Sequence, residues 1–251
     1  MSNGSLYTHI QNNIATIEFG HPASNSFPSE LLNRLTVALN ELSANNDVHV
    51  IVLKSQGDTT FCAGASFNEL IEISNFEEGK QFFLGFANVI NAMRNSTKLT
   101  VGRIQGKAVG GGVGLAAACD YCFATEKASI KLSEFTIGIG PFVIEPVVTR
   151  KIGLAAFSEL TIDATSWQNA YWAKEKGLYS KVFETIKEMD FEVEVLTNKL
   201  AKYNPEALFE MKNILWKHTD SWNQLLDERA EISGKLVLSE STKKALQKFK
   251  K

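Results

Sequence analysis

The segment best equipped for chemistry is a run of glycines, Gly106 to Gly114 (G-K-A-V-G-G-G-V-G), leading from a strand-like stretch into the apolar Leu115 to Ala118. A strand–turn–helix junction of this kind points free backbone N–H groups at an incoming anionic or polarised oxygen. The alternative reading is that the glycines only permit a tight turn. A second small-residue turn, Phe61-Cys62-Ala63-Gly64-Ala65-Ser66, follows the strand-like Val48 to Leu53 and the polar loop Lys54 to Thr60, and leads into a short helical stretch, Phe67 to Ile73. Two such turns, each after a strand of one sheet, would converge their N–H groups on one oxygen and form an oxyanion hole. Nucleotide-binding fingerprints fail. A G-x-G-x-x-G run from Gly110 meets Leu115 at its last position, one from Gly112 meets Ala117, and no Gly-Lys pair precedes Ser or Thr.

Cys119 and Cys122 have C-x-x-C spacing, which fits a redox pair or half a zinc site. With Cys62 they make an odd count, no second C-x-x-C follows, and His9, His21, His49 and His218 are scattered. The stronger reading is small buried hydrophobes without a bound metal.

These turns need elements to hold them. Ile14 to Phe19, Val48 to Leu53 and Leu99 to Ile104 read as strands. Pro28 marks a helix start, after which Leu31, Leu35, Leu39 and Leu42 recur on one face; Phe82, Phe86, Val89, Ile90 and Met93 do the same for a second helix. Strand and helix patterns alternate over the N-terminal two-thirds, as an α/β core requires. After about Gly153 the β signals thin and successive helices are expected at Ser166 to Lys176, Phe191 to Lys202, Pro205 to His218 and Trp222 to Leu238. The end, Ser241 to Lys251, carries Lys243, Lys244, Lys248, Lys250 and Lys251. It reads as a solvated tail or as a phosphate contact.

The chain has 251 residues, 44% hydrophobic and 22% charged, enough to bury a sizeable core. A formal charge of −2 with dispersed lysine and arginine gives no nucleic-acid footprint. Met1 to His9 is polar and no apolar run approaches a membrane span, so a soluble, cytoplasmic protein with a small-molecule partner is expected.

Phe61-Cys62-Ala63-Gly64-Ala65 with Glu69-Leu70, and Gln105 to Leu115 with Cys119-Asp120, resemble the two signatures of the crotonase (enoyl-CoA hydratase/isomerase) superfamily. His21-Pro22 to Asn25, Glu134 to Gly138 with Pro141, Gly177-Leu178 with Val182, and the Pro205 helix extend the resemblance over nearly the whole chain. It implies an α/β fold: a spiral of stacked β-β-α turns over residues 1–190, then a C-terminal helical oligomerisation region over 191–251, assembled as a homotrimer or as a hexamer of two trimers. It implies an acyl-CoA substrate, with coenzyme A part of that substrate and no separate cofactor. The N–H groups of Ala65 and Gly111 are the implied oxyanion donors, Glu134 the implied acid/base, and Ala63, Gly64, Phe67, Gly110, Gly114 and Pro141 the implied substrate contacts.

In the resembled hydratases two glutamates flank the double bond. The position matching the first is Gly114 here, so the two-carboxylate mechanism does not carry over intact. Ser66 and Asn68 stand where the family often has aspartate and lysine, which alters the expected CoA contacts. Pro141-Phe142-Val143-Ile144-Glu145-Pro146 departs from the common glycine-rich segment and is similar to bacterial methylglutaconyl-CoA hydratases. Glu145 is either a replacement carboxylate or a favourable charge at a helix start. Hydration or dehydration of an enoyl-CoA is therefore expected first. Isomerisation with Glu134 as sole base and non-catalytic acyl-CoA binding are the alternatives.

Overall fold

The computed structural model describes residues 3–248; Met1, Ser2 and, in the lysine-rich end, Lys250 and Lys251 lie outside them. A hairpin of β1 (Ser5–Gln11) and β2 (Ile14–Gly20) turns at Asn12 and Asn13, both at positive φ, a conformation asparagine tolerates. Next come α1 (Ser29–Ala44), β3 (Val50–Ser55), β4 (Thr60–Cys62), α2 (Phe67–Glu72) and α3 (Phe76–Asn95). They are followed by β5 (Leu99–Ile104), β6 (Lys107–Val109), α4 (Gly111–Ala118), β7 (Tyr121–Thr125), β8 (Ile130–Lys131), a 3-10 helix (Glu134–Ile137) and α5 (Glu145–Ile162). The chain continues with α6 (Ala170–Glu175), β9 (Lys181–Phe183), α7 (Ile186–Leu200), α8 (Pro205–Leu215), α9 (Trp222–Leu236) and α10 (Glu240–Gln247).

The larger sheet runs β1-β2-β3-β5-β7-β9 and the smaller β4-β6-β8. Each of β3, β5 and β7 feeds a short strand of the smaller sheet and then helical structure, so three β-β-α turns stack with parallel pairing throughout. Parallel strands covered on both faces should be apolar without alternation. β3 is, with five of its six residues buried.

The α1 leucines named above and the α3 residues Phe82, Phe86, Val89, Ile90 and Met93 are all buried. Phe19, Phe27, Phe61 and Phe86 form an aromatic chain from the sheet towards α3, with ring centroids 4.8, 5.4 and 6.4 Å apart along Phe19–Phe27, Phe19–Phe61 and Phe27–Phe86.

Several expected boundaries shift for identifiable reasons. The Phe191 to Lys202 helix starts at Ile186, because Thr185 and Glu188 form a reciprocal capping box. The Ser166 to Lys176 helix contracts to Ala170–Glu175: the Gln168 backbone pairs with Ile130, and Asn169 caps the helix. β9, only three residues long, was too short to leave a periodic signal, yet it extends the large sheet beside β7. The expected division at 190/191 falls inside α7, whose Met189 and Val193 pack on the sheet face formed by Val50, Val52, Val101 and Phe123. The C-terminal helices are not a separate layer either. α9 crosses α3 at backbone contact, where a Cβ on Gly79 would lie 2.9 Å from the Gly234 carbonyl oxygen. The described part of the expected tail is helical, capped by Ser239 with Thr242 and Leu246 buried. Among the described residues no helix is long and apolar enough to cross a membrane.

α8 docks through a buried ion pair. Asp120 accepts from Lys212 Nζ (2.8 Å), Trp216 Nε1 (2.7 Å) and the Thr100 N–H (2.7 Å), with the Lys212 and Asp120 side chains 1% and 5% exposed. Burial pushes the Lys212 pKa down and Asp120 partly restores it. Removing one partner of such a pair leaves an uncompensated buried charge. Asp120→Ala should therefore cost about 3–5 kcal/mol in chemical denaturation; a loss under 1 kcal/mol would show the pair to be dispensable.

Candidate active site

At the end of β4 the chain turns through Gly64 at φ +85. Phe27 bridges to this turn: its N–H donates to the Gly64 carbonyl (2.8 Å) and its carbonyl accepts from Ser66 N–H (3.0 Å). A parallel bridge made through residues 64 and 66 leaves the N–H of Ala65 itself out of the pairing. At the second turn Gly110, at φ +53, donates to the Lys131 carbonyl (2.9 Å) and accepts from Val113 and Gly114. Gly111 opens α4, where an N–H has no intrahelical acceptor. Among the described residues, neither N–H has a hydrogen-bond acceptor.

The two turns touch. A Cβ on Gly64 would sit 2.9 Å from the Val109 carbonyl oxygen and 3.4 Å from Gly111 N; one on Gly112 would lie 2.5 Å from the Cys62 carbonyl oxygen. A Cβ on Gly111 would overlap the Phe86 ring. Only glycine allows this approach.

Glu134 enters from the third turn of the spiral, just beyond β8, as the first residue of the 3-10 helix. Its main-chain carbonyl accepts from the N–H groups of Gly138 and Ile139, with Gly138 in the left-handed region at φ +83. The residue as a whole is half-buried, but its carboxyl Oε2 is fully enclosed and has no hydrogen-bond partner. Oε1 lies so near the second turn that a Cβ on Gly110 would be 2.7 Å from it. Burial pushes the carboxyl pKa up to about 7, against a smaller downward pull from the backbone N–H groups of Glu134 and Ser133. At neutral pH the group can both take and return a proton.

The cleft around these groups has an empty volume of about 580 Å³. Ala63, Gly64, Ala65, Phe67, Gly110, Gly111, Glu134 and Pro141 all line it, and Glu134 is the sole charged side chain among the described lining residues. Gly114 does not line it. Its side of α4 is closed by Ile144, and it is Ile144 that faces the cleft. Glu145 does not line it either; its carboxylate accepts from Thr149 Oγ1 (3.0 Å) and meets Arg229 (3.4 Å). Phe86, part of the apolar stripe of α3, also walls the cleft, together with Phe83, Phe142 and Ser233, to which the sequence alone assigns no role.

Cys62, beside the first turn, is no nucleophile: burial pushes its thiol up to about 12. Cys119 and Cys122 are free and buried, both against Gly102. Among the described residues no group of three His, Cys, Asp or Glu is placed to hold a metal.

The sequence profile of the family described as "Enoyl-CoA hydratase/isomerase" matches residues 9–251. The short-chain-enoyl-CoA hydratase of Clostridium acetobutylicum is 26% identical over 94% of this chain and 90% of its own. The peroxisomal Δ(3,5)-Δ(2,4)-dienoyl-CoA isomerase of Arabidopsis thaliana is 28% identical over 83% and 79%. The mitochondrial methylglutaconyl-CoA hydratase of Rattus norvegicus is 34% identical over 66% of this chain and 52% of its own. Among solved structures, an enoyl-CoA hydratase from Bacillus halodurans superposes with a TM-score of 0.90 at 22% identity, over 97% and 99% of the two chains. The profile match over nearly the full length and this shared fold make the chain a member of the enoyl-CoA hydratase/isomerase family, within the crotonase superfamily.

Proposed function

We propose that this enzyme moves a proton on an enoyl-CoA with a single carboxyl group, shifting the double bond between the 3- and 2-positions. The observation that carries this reading is the enclosed Glu134 carboxyl, the only carboxyl among the described residues of a cleft that also presents the unpaired N–H groups of Ala65 and Gly111. With the thioester oxygen between those N–H groups, Glu134 as carboxylate takes a proton from C2 of a 3-enoyl thioester. The C2–H electrons delocalise onto the thioester oxygen, and the protonated Glu134 returns the proton to C4. The double bond ends between C2 and C3 with every atom conserved. Removing one oxyanion-hole donor, a side-chain amide in the measured case, costs about 10²–10³ in rate.

Hydration, which the sequence put first, is the second reading. Glu134 could take a proton from water and deliver it to C2 on the same face, and the names of two of the relatives above favour it. Among the described lining residues there is no second carboxyl to hold the water. The acyl group we favour is uncharged, because the terminal carboxylate of a methylglutaconyl group would meet no lysine, arginine or histidine among the described lining residues. For assembly we propose the homotrimer or dimer of trimers: α8 exposes Met211, Ile214 and Leu215, an apolar face suited to burial against another copy.

Glu134→Gln preserves shape and removes the proton carrier. Turnover on a 3-enoyl-CoA should fall at least ~10²-fold with thioester binding little changed. Wild-type turnover in the variant rules the mechanism out. In the wild-type enzyme kcat/KM should fall as pH drops through about 7, the range in which Glu134 becomes protonated.

The same substitution has a stability signature. The folded protein holds the Glu134 proton more tightly than the unfolded chain, so this stabilisation is complete below the ordinary carboxyl range and is lost as pH rises through about 7. Glu134→Gln should therefore raise Tm at pH 8 relative to wild type, and much less at pH 4. Equal shifts at both values contradict the assigned titration.

A panel of 3-enoyl, 2-enoyl and methylglutaconyl-CoA thioesters checks the substrate class. Preferred turnover of methylglutaconyl-CoA would contradict the uncharged acyl group.

A further inference from the structure

We infer that Ile144 determines the fate of the 2-enoyl thioester by filling the space from which water would attack C3, and that Gly114 is the counterpart that lets it do so; this rests on the one-carboxyl reading above. A Cβ on Gly114 would overlap Ile144 Cγ2 and lie 2.9 Å from Ile144 Cβ. That second atom is bonded directly to the main chain and cannot swing aside. The side chain is β-branched and stiff at χ1. Its backbone is fixed at the start of α5, where the Ile144 carbonyl accepts from Val148 N–H (3.0 Å), and Pro141 and Pro146 restrict the chain on either side. Residue 144 is 4% exposed, so the contact between α4 and α5 leaves space at position 114 for hydrogen alone.

The cleft-facing side of Ile144 continues into Val143, Phe142 and Ile139, an apolar wall. An ordered water needs two to four polar partners. The polar side chains lining the cleft are Ser133, Glu134 and Ser233, and the Ser233 hydroxyl is already donated to the Arg229 carbonyl (3.1 Å). A 2-enoyl thioester formed beside this wall meets no water at C3, and the enolate formed from either isomer exchanges its proton only with Glu134. Replacing Ile144 by a small polar residue opens the wall. Water oxygen then bonds to C3 of the 2-enoyl thioester, Glu134 takes the water proton, and C2 receives a proton from Glu134, giving the 3-hydroxyacyl thioester.

The experiment incubates wild type, Ile144→Ser, Gly114→Ala and the double variant Gly114→Ala/Ile144→Ala with 3-butenoyl-CoA and 2-butenoyl-CoA in D2O. Mass spectrometry reads deuterium at carbon, double-bond position and 3-hydroxybutyryl-CoA separately. Wild type should exchange deuterium and isomerise with little hydration; Ile144→Ser should raise the hydroxyacyl share of product at least tenfold while exchange continues. Gly114→Ala alone should lose turnover by forcing a methyl group into Ile144, and Ile144→Ala in the same chain should restore it. The double variant decides the matter if Ile144→Ser does not fold. Deuterium exchange with an unchanged hydroxyacyl share, a wild type that already hydrates as its main reaction, or failure of Ile144→Ala to rescue Gly114→Ala each overturns the role of Ile144 while leaving Glu134 in place. Absence of Glu134-dependent exchange in wild type overturns both.

Discussion

Two backbone turns pressed against each other organise this molecule. Gly64 faces the Val109 carbonyl, and Gly112 faces the Cys62 carbonyl, at separations no side chain would allow. The small sheet sets that approach. Its ladders pair Cys62 with Ala108, Ala108 with Ile130, and Val109 with Lys131. The residues just beyond those partners are Ala65, Gly111 and Glu134, so parallel register delivers all three to one edge. A strand slipped by one residue would turn a cleft-facing group inward. The larger sheet supplies rigidity and the smaller one supplies aim.

The electrostatics of the cleft follow from this placement. An enclosed carboxyl whose Oε2 has no hydrogen-bond partner destabilises the fold in its charged form, and functional sites are where such local costs are found. In the proposed proton transfer negative charge leaves Glu134 as it appears on the thioester oxygen. On that proposal the cleft carries about one negative charge throughout, held first by the carboxylate and then by two fixed N–H groups. Apolar walls from Phe67, Phe83, Phe86 and Ile137 keep water from screening either state. Backbone donors need no reorganisation as the charge arrives, because the turns that carry them are already fixed.

Much of this was legible in the sequence because it is local. Glycine turns after strands, the leucine stripe of α1 and the aromatic stripe of α3 are written within short windows. What was not legible is non-local or compensated elsewhere. Ser233 lines the cleft because α9 crosses α3 at Gly79 and Gly234, and neither glycine signals a distant helix. The loss of an acid at position 114 could be read, but the residue that closes the space there, Ile144, could not. Glu145 looked like a spare carboxylate. Whether it reached the cleft depended on Thr149, one turn along α5, and on Arg229 of α9, which together hold it outside.

The C-terminal end completes the support of Glu134 from behind. Thr242 of α10, fully buried, donates to the Gly138 carbonyl at 3.0 Å and is itself joined to the capping Ser239. Gly138 in turn donates to the Glu134 carbonyl, and a Cβ there would lie 3.1 Å from Thr242 Cα. The left-handed turn that closes the 3-10 helix is thus fixed by a helix near the end of the chain. A 3-10 helix of four residues has poor hydrogen-bond geometry and little stability of its own. Its order, and with it the position of the carboxyl, is borrowed from the packing of α10. Because α10 is built into the site, fraying of α10 would loosen Glu134 before it disturbed the sheets.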